Sequence, residues 1–193
     1  MSLKIKDYIF IGIMSIIGLV IYMISGGFSS LFGVYGHVVS PGVFGLFRGT
    51  LMVFMSYKLA KPGMMIVFTV IQMMVFTLMG GGYLPWVITA MTGAIIGDII
   101  LSKGGFDKFW SQASCWALMQ LGSACGSFVP VWFFAESFKQ TWVERGQSVE
   151  GMDAQIMYAT GMWGVISVSI VIILSVLGIY IGRTILSKYF KKH

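Results

Sequence analysis

Ser56-Tyr57-Lys58-Leu59-Ala60-Lys61-Pro62-Gly63-Met64 parts two apolar stretches, and its two lysines, proline and glycine decide the fold. The stretch before it reads as residues 41–57 and the one after as 62–79, with Arg48 the only charge in either. Each is close to the length that crosses a hydrocarbon core of about 30 Å. Lys and Arg collect in cytoplasmic loops, so this turn marks the inner side of a membrane.

The pattern recurs outward in both directions. Lys4/Lys6, Lys58/Lys61, Lys103/Lys108 and Arg183/Lys188/Lys191/Lys192 form four basic clusters, while segments 27–40, 80–84 and 136–156 hold only Lys139 and Arg145 against Glu136, Glu144, Glu150 and Asp153. Alternation of this kind predicts an all-α integral membrane protein, a six-transmembrane-helix bundle with N and C termini both cytoplasmic. The spans read as 8–25, 41–57, 62–79, 85–101, 111–135 and 157–186, within one transmembrane domain over 1–193, multi-pass in the cell membrane. Pro41, Pro62 and Pro85 each open a span, where the missing N–H costs nothing. Trp86, Trp132, Phe133, Phe134, Tyr158 and Trp163 mark the outer ends; Tyr8, Tyr57, Phe109, Trp110, Tyr189 and Phe190 mark the inner ones, as aromatic belts do.

Composition excludes other classes. With 57% hydrophobic residues, 10% charged and a mean hydropathy of +0.87, the chain lacks the polar surface a soluble globule needs. The net charge of +6 sits at span ends, where anionic lipid headgroups account for it without nucleic acid. Cys115 and Cys125 fall on one span, about 15 Å apart by the helical rise, too far for a disulfide. His37 has only His193, on the opposite side, as a fellow histidine, so no metal site is expected, and the fifteen methionines read as packing residues. No Ser/His/Asp set, Walker loop, paired carboxylates or CxxC is present, so neither an enzyme nor a cofactor is expected.

The outer connections differ in kind. Residues 26–40 mix glycines with Phe28, Phe32 and Tyr35 and read as a loop folded back over the bundle as a lid; 136–156 are acidic and read as solvent-exposed with a short helix. Gly80-Gly81-Gly82-Tyr83-Leu84-Pro85 makes a turn with one aromatic on a hinge.

Polar groups at membrane depth carry the functional signal, because each needs a partner. Arg48, Gln72 and Gln120 are the deepest. Gln120 shares a stripe with Trp116, Ser123 and Ser127, and Thr89, Thr92, Gly93 and Gly97 share a face of the preceding span, so that both faces are expected on one cavity. The candidate substrate-binding residues are Arg48, Gln72, Gln120, Trp86, Tyr83, Trp116, His37, Phe32 and Tyr35. Arg48 has a structural alternative, pairing with carbonyls or Asp98, and a midspan Gln can simply join helices. Asp98 is placed to reach Lys103 or a helix terminus. Gly45/Gly49, Gly93/Gly97, Gly122/Gly126 and Gly178/Gly182 have the Gly-xxx-Gly spacing of close helix packing.

Gly82-Tyr-Leu-Pro-Trp86, Gly93-Ala-Ile-Ile-Gly-Asp98-Ile-Ile-Leu-Ser-Lys103-Gly-Gly, Gly126-Ser-Phe-Val-Pro130, Phe133-Phe-Ala-Glu136-Ser-Phe and Lys58-Leu-Ala-Lys61-Pro-Gly63 together give the chain a resemblance to the MptD (Trep_Strep) family over about residues 5–190. Members of that family look like substrate-binding S-components of energy-coupling factor (ECF) transporters. Asp98 stands where the family prefers Glu, and Gly12, Ser15 and Gly18 follow one another at three residues rather than four. The resemblance implies a six-helix subunit that captures a micronutrient or vitamin-like small-molecule ligand under its first outer loop. It also implies docking through the first helix, at Gly12, Ser15 and Gly18, on a membrane coupling protein driven by two cytoplasmic ATPases. The rival expectations are a stand-alone secondary transporter or channel, and a ligand-free membrane assembly factor.

Overall fold

The computed structural model describes residues 3–190; Lys191 and Lys192, expected at the inner face, and His193 lie outside the described residues, as does the Phe190 side chain. Within that range the chain forms seven helices: α1 (Ile5–Ser30), α2 (Gly33–Lys58), α3 (Met64–Leu78), α4 (Leu84–Gly104), α5 (Phe109–Glu144), α6 (Val149–Ala159) and α7 (Gly161–Phe190). Five of them (α1, α2, α4, α5 and α7) are long and apolar enough to cross a membrane. The expected third span is shorter than its hydrophobic run. Its helix, α3, has 15 residues, about 22 Å of rise, because Gly63 (φ +87°) and Gly80 (φ +84°) hold left-handed conformations just outside its ends.

Residues 26–40 are not a loop. α1 continues to Ser30 and α2 starts at Gly33, leaving Leu31 and Phe32 as the connection. A helix satisfies its own backbone, which a glycine-rich loop beside lipid does not. Ser25 and Ser29 return their hydroxyls to Ile21 O (2.8 Å) and Ser25 O (3.1 Å). Pro41 therefore lies inside α2 instead of opening it. Pro62 falls in the turn before α3, and Pro85 alone of the three occupies the first turn of its helix. The acidic segment is also largely helical. α5 loses helical geometry at Phe134 (φ −145°, ψ 43°) shortly after Pro130, which removes a ladder hydrogen bond, and then resumes to Glu144. Ser148 caps α6, its hydroxyl accepting from Gly151 N–H at 3.0 Å.

Two glycine crossings fix the frame. Gly45 and Gly49 of α2 meet Gly178 and Gly182 of α7, so close that a Cβ on Gly49 would overlap the Gly178 backbone. Gly93 and Gly122 cross the same way between α4 and α5, where a Cβ on Gly93 would lie 3.0 Å from Gly122 Cα. All four Gly-xxx-Gly pairs thus take part in these two crossings, backbone against backbone. An inner core gathers Met52, Met55, Met64, Met65, Phe68, Leu101 and Trp116, and an outer core gathers Phe128, Val131, Phe138, Met152 and Val171. Six methionines in the inner core, Met14 and Met119 with the four just named, act as packing residues.

Polar ties close the end of the bundle that carries the Lys58–Gly63 turn. Lys61 Nζ bonds Asp7 Oδ2 at 2.5 Å. Arg183 donates to Asp107 O (2.6 Å) and Gln112 Oε1 (3.0 Å). Asp98 reaches a helix terminus, as one of its sequence readings had it, and the terminus is that of α3: it accepts from Gly63 N–H and Met65 N–H. Large apolar residues such as Ile16, Ile24, Ile99 and Ile173 remain exposed on the outward faces of α1, α4 and α7. Exposure on this scale suits lipid rather than water.

Candidate ligand-binding cavity

Between the two cores lie two adjoining chambers. The lower one, about 40 Å³, is lined by Arg48, Gln72, Trp116, Gln120 and Thr69 among others; the upper one, about 350 Å³, by His37, Tyr83, Phe138, Trp142, Ser127 and Gln155 among others. Tyr22, Phe76, Trp86 and Ser123 belong to both linings and form a common wall. A volume of about 350 Å³ is at the lower end of the range for small-molecule sites.

Helical periodicity brings these groups together. Gly18 and Tyr22 on α1, Phe44 and Arg48 on α2, Gln72 and Phe76 on α3, and Phe138 and Trp142 on α5 are all spaced by four, so each pair shares a face. Gly18 lets Gln72 pack close to α1: a Cβ there would come within 2.9 Å of Gln72 Nε2, so the Gln72 side chain would have to shift. Arg48 is 6% exposed and donates one hydrogen bond, from Nη1 to Gln72 Oε1 at 2.9 Å. Its guanidinium carbon lies 5.6 Å from the ring centre of Tyr22, 5.9 Å from Phe44 and 5.7 Å from Trp116. Ring faces attract a cation, but they accept no full hydrogen bond, and Arg48 Nε and Gln72 Nε2 have no partner among the described residues. No Asp or Glu lines either chamber, so Asp98 is not the counter-ion of Arg48.

The indoles divide by role. Trp116 Nε1 donates to Gly45 O (2.8 Å) and Trp86 Nε1 to Ser123 Oγ (3.0 Å), which fixes both rings. Trp142 Nε1 is buried without a partner. Trp142 also closes an aromatic group at the rim, 5.6 Å from Tyr83 and 6.3 Å from Phe138 between ring centres.

Of the nine candidate binding residues, the structure places Arg48, Gln72, Gln120, Trp86, Trp116, Tyr83 and His37 on the chambers. It does not bring in Phe32 or Tyr35. Phe32 is exposed and packs on Phe28, and Tyr35 packs on Tyr158 and Trp163. The outer cover comes instead from Tyr83 and from Phe138, Trp142, Met152 and Gln155 of α5 and α6. Thr89 and Thr92 bond carbonyls of their own helix, Thr92 from an exposed position, and Gly93 and Gly97 pack on α5, so none of the four lines a chamber. The three small residues of α1 divide similarly. Ser15 is fully buried, donating to Ile11 O at 2.8 Å, and Gly18 packs on Gln72, whereas a Cβ on Gly12 would meet nothing within 4 Å. The close approach that Ser15 and Gly18 permit is therefore to helices of the same chain.

Long apolar helices, exposed greasy faces and a polar–aromatic interior define a multi-pass membrane protein. The chain belongs to the family described as hypothetical bacterial integral membrane protein (Trep_Strep), whose model matches residues 5–192. No curated protein and no solved structure matches it.

Proposed function

We propose that the protein is the substrate-capturing S-component of an ECF-type ABC importer. It takes a micronutrient or vitamin-like small molecule from outside and delivers it with a membrane coupling protein and two cytoplasmic ATPases. Six crossings with both termini cytoplasmic belong to this reading, α3 being the short one. The observation that carries it is the pair of chambers, walled by five helices and α6 and holding a buried cation, Arg48, whose Nε is unmatched among the described residues. A site of that kind binds; with no Walker loop in the sequence, energy has to come from partners. The protein is a binder rather than an enzyme, with no resident metal or cofactor. Of the three small residues on α1, Gly12 alone remains outward for docking.

A secondary transporter would use an acid at mid-depth to couple its ion. Asp98, the deepest acid in the spans, is committed to capping α3 near the inner turn. Copurification decides the matter: tagged protein drawn from bacterial membranes in mild detergent should bring a transmembrane coupling protein and two ATPases with it. Recovery of the chain alone, from cells that express those subunits, would overturn the reading.

A further inference from the structure

Among the described residues, the three buried side-chain nitrogens without a partner are Arg48 Nε, Gln72 Nε2 and Trp142 Nε1, and every one belongs to a residue lining the chambers. All three are donors that accept nothing. The unmet hydrogen-bonding capacity around the chambers is therefore of N–H donors, two of them on residues of the lower lining that are joined to each other by the Arg48 Nη1–Gln72 Oε1 bond. Among the described residues, Arg48 is also the only formally charged one on either lining. One positive charge between apolar rings is balanced by one negative charge, whereas a phosphate dianion would leave an unpaired charge in the bundle. The planar guanidinium fork matches a planar carboxylate. A chamber of about 40 Å³ has room for such a head and not for the molecule behind it. The rest must occupy the 350 Å³ chamber, among Tyr83, Trp86, Phe138 and Trp142, whose flat faces favour a flat, unsaturated body.

We propose that the cavity takes a monoanionic aromatic acid, its carboxylate seated between Arg48 and Gln72 and its ring system lying in the upper chamber with an acceptor edge toward Trp142 Nε1. The proposal rests on reading the cavity as the capture site, and is independent of what the subunit docks on. Acid binding by a protein that never assembles with a coupling protein would sink the importer and leave the site.

The test uses the full chain in nanodiscs, titrated by calorimetry with 2-naphthoate and with 2-naphthamide, which has the same shape without the charge. The acid should bind at least about tenfold more tightly than the amide. Arg48→Gln should bring the two within about twofold, while Phe32→Ser, remote from both chambers, should keep the full preference. Gln72→Leu serves if Arg48→Gln does not fold, and the acid–amide comparison on the unaltered chain stands without either. Oleate carries the same head on a flexible body and should bind about tenfold more weakly than 2-naphthoate. Equal affinity for acid and amide, no binding of either at about 1 mM, tighter binding of oleate, or a preference that survives Arg48→Gln in folded protein would each overturn the proposal.

Discussion

Asp98 on α4 closes the N-terminus of α3, its carboxylate oxygens accepting from Gly63 N–H at 2.7 Å and Met65 N–H at 3.0 Å. A helix start leaves N–H groups unpaired, and here the neighbouring helix supplies the acceptor that Gly63 at the N-cap lacks. Asp98→Ala should cost about 1–2 kcal/mol, seen as a lower melting temperature, with 2-naphthoate affinity unchanged. A matching loss of affinity at full stability would place Asp98 in the site instead.

Arg48 should behave in the opposite sense. A buried cation with one hydrogen bond costs the empty protein free energy, so Arg48→Met should be neutral or stabilising by about 1–2 kcal/mol while binding is lost. Because Arg48 and Asp98 share no partner, the double variant with Asp98→Ala should melt at the sum of the two single effects. A drop in melting temperature for Arg48→Met would mark the residue as structural.

At the glycine crossings, Gly49→Ala drives a methyl into the Gly178 backbone and should lower stability by about 2 kcal/mol or more. Gly12→Ala, with open space around it, should be neutral or add about 0.5–1 kcal/mol through helix propensity. Detergent melting curves on the two variants check both signs.

The rim gives a contrast of binding rather than stability. Trp142→Phe keeps the ring and removes an unpartnered donor, so 2-naphthoate carrying a ring acceptor (as in a quinoline carboxylate) should lose about fivefold in affinity. Phe28→Ser and Phe32→Ser, on the outward α1–α2 corner, should leave that affinity within about twofold. Equal losses at both places would restore the lid role to residues 26–40.

Sidedness is open to labelling. In a chain with Cys115→Ala and Cys125→Ala, an impermeant thiol reagent added to intact cells should label Glu150→Cys and spare Asp107→Cys, both exposed positions on opposite sides in the proposed topology. Labelling of Asp107→Cys from outside would reverse it.

Charge and length made the helices legible in the sequence, because basic turns such as Lys58–Gly63 leave a mark that packing does not alter. Seven of nine candidate residues line the chambers for a related reason: polar and indole groups at membrane depth have few other places to go. Phe32 and Tyr35 were misplaced because glycine content suggested a loop, whereas backbone satisfaction beside lipid kept residues 26–30 and 33–40 helical. Tyr22, Phe76 and Phe44 went unread although each stands four residues from a group already marked by its polarity or size, Gly18, Gln72 and Arg48. Phe138 and Trp142 were hidden in an acidic segment, and only the break at Phe134 turns them over the cavity.

The crossings of α2 with α7 and of α4 with α5 run on glycines, and of the chamber walls Tyr22, Arg48, Gln72 and Trp142 are not among the nearest neighbours of those glycines, whereas Trp86 packs on Gly126 and both belong to wall and crossing alike. α7 contributes no residue to either lining. In the proposed role, selectivity and architecture are therefore encoded at mostly separate positions, with Trp86 and Gly126 shared. If the chain is the importer subunit proposed above, a lineage can exchange one cargo for another by altering wall residues such as Tyr22 or Trp142 on an unchanged skeleton, and an engineer can retarget it by the same route.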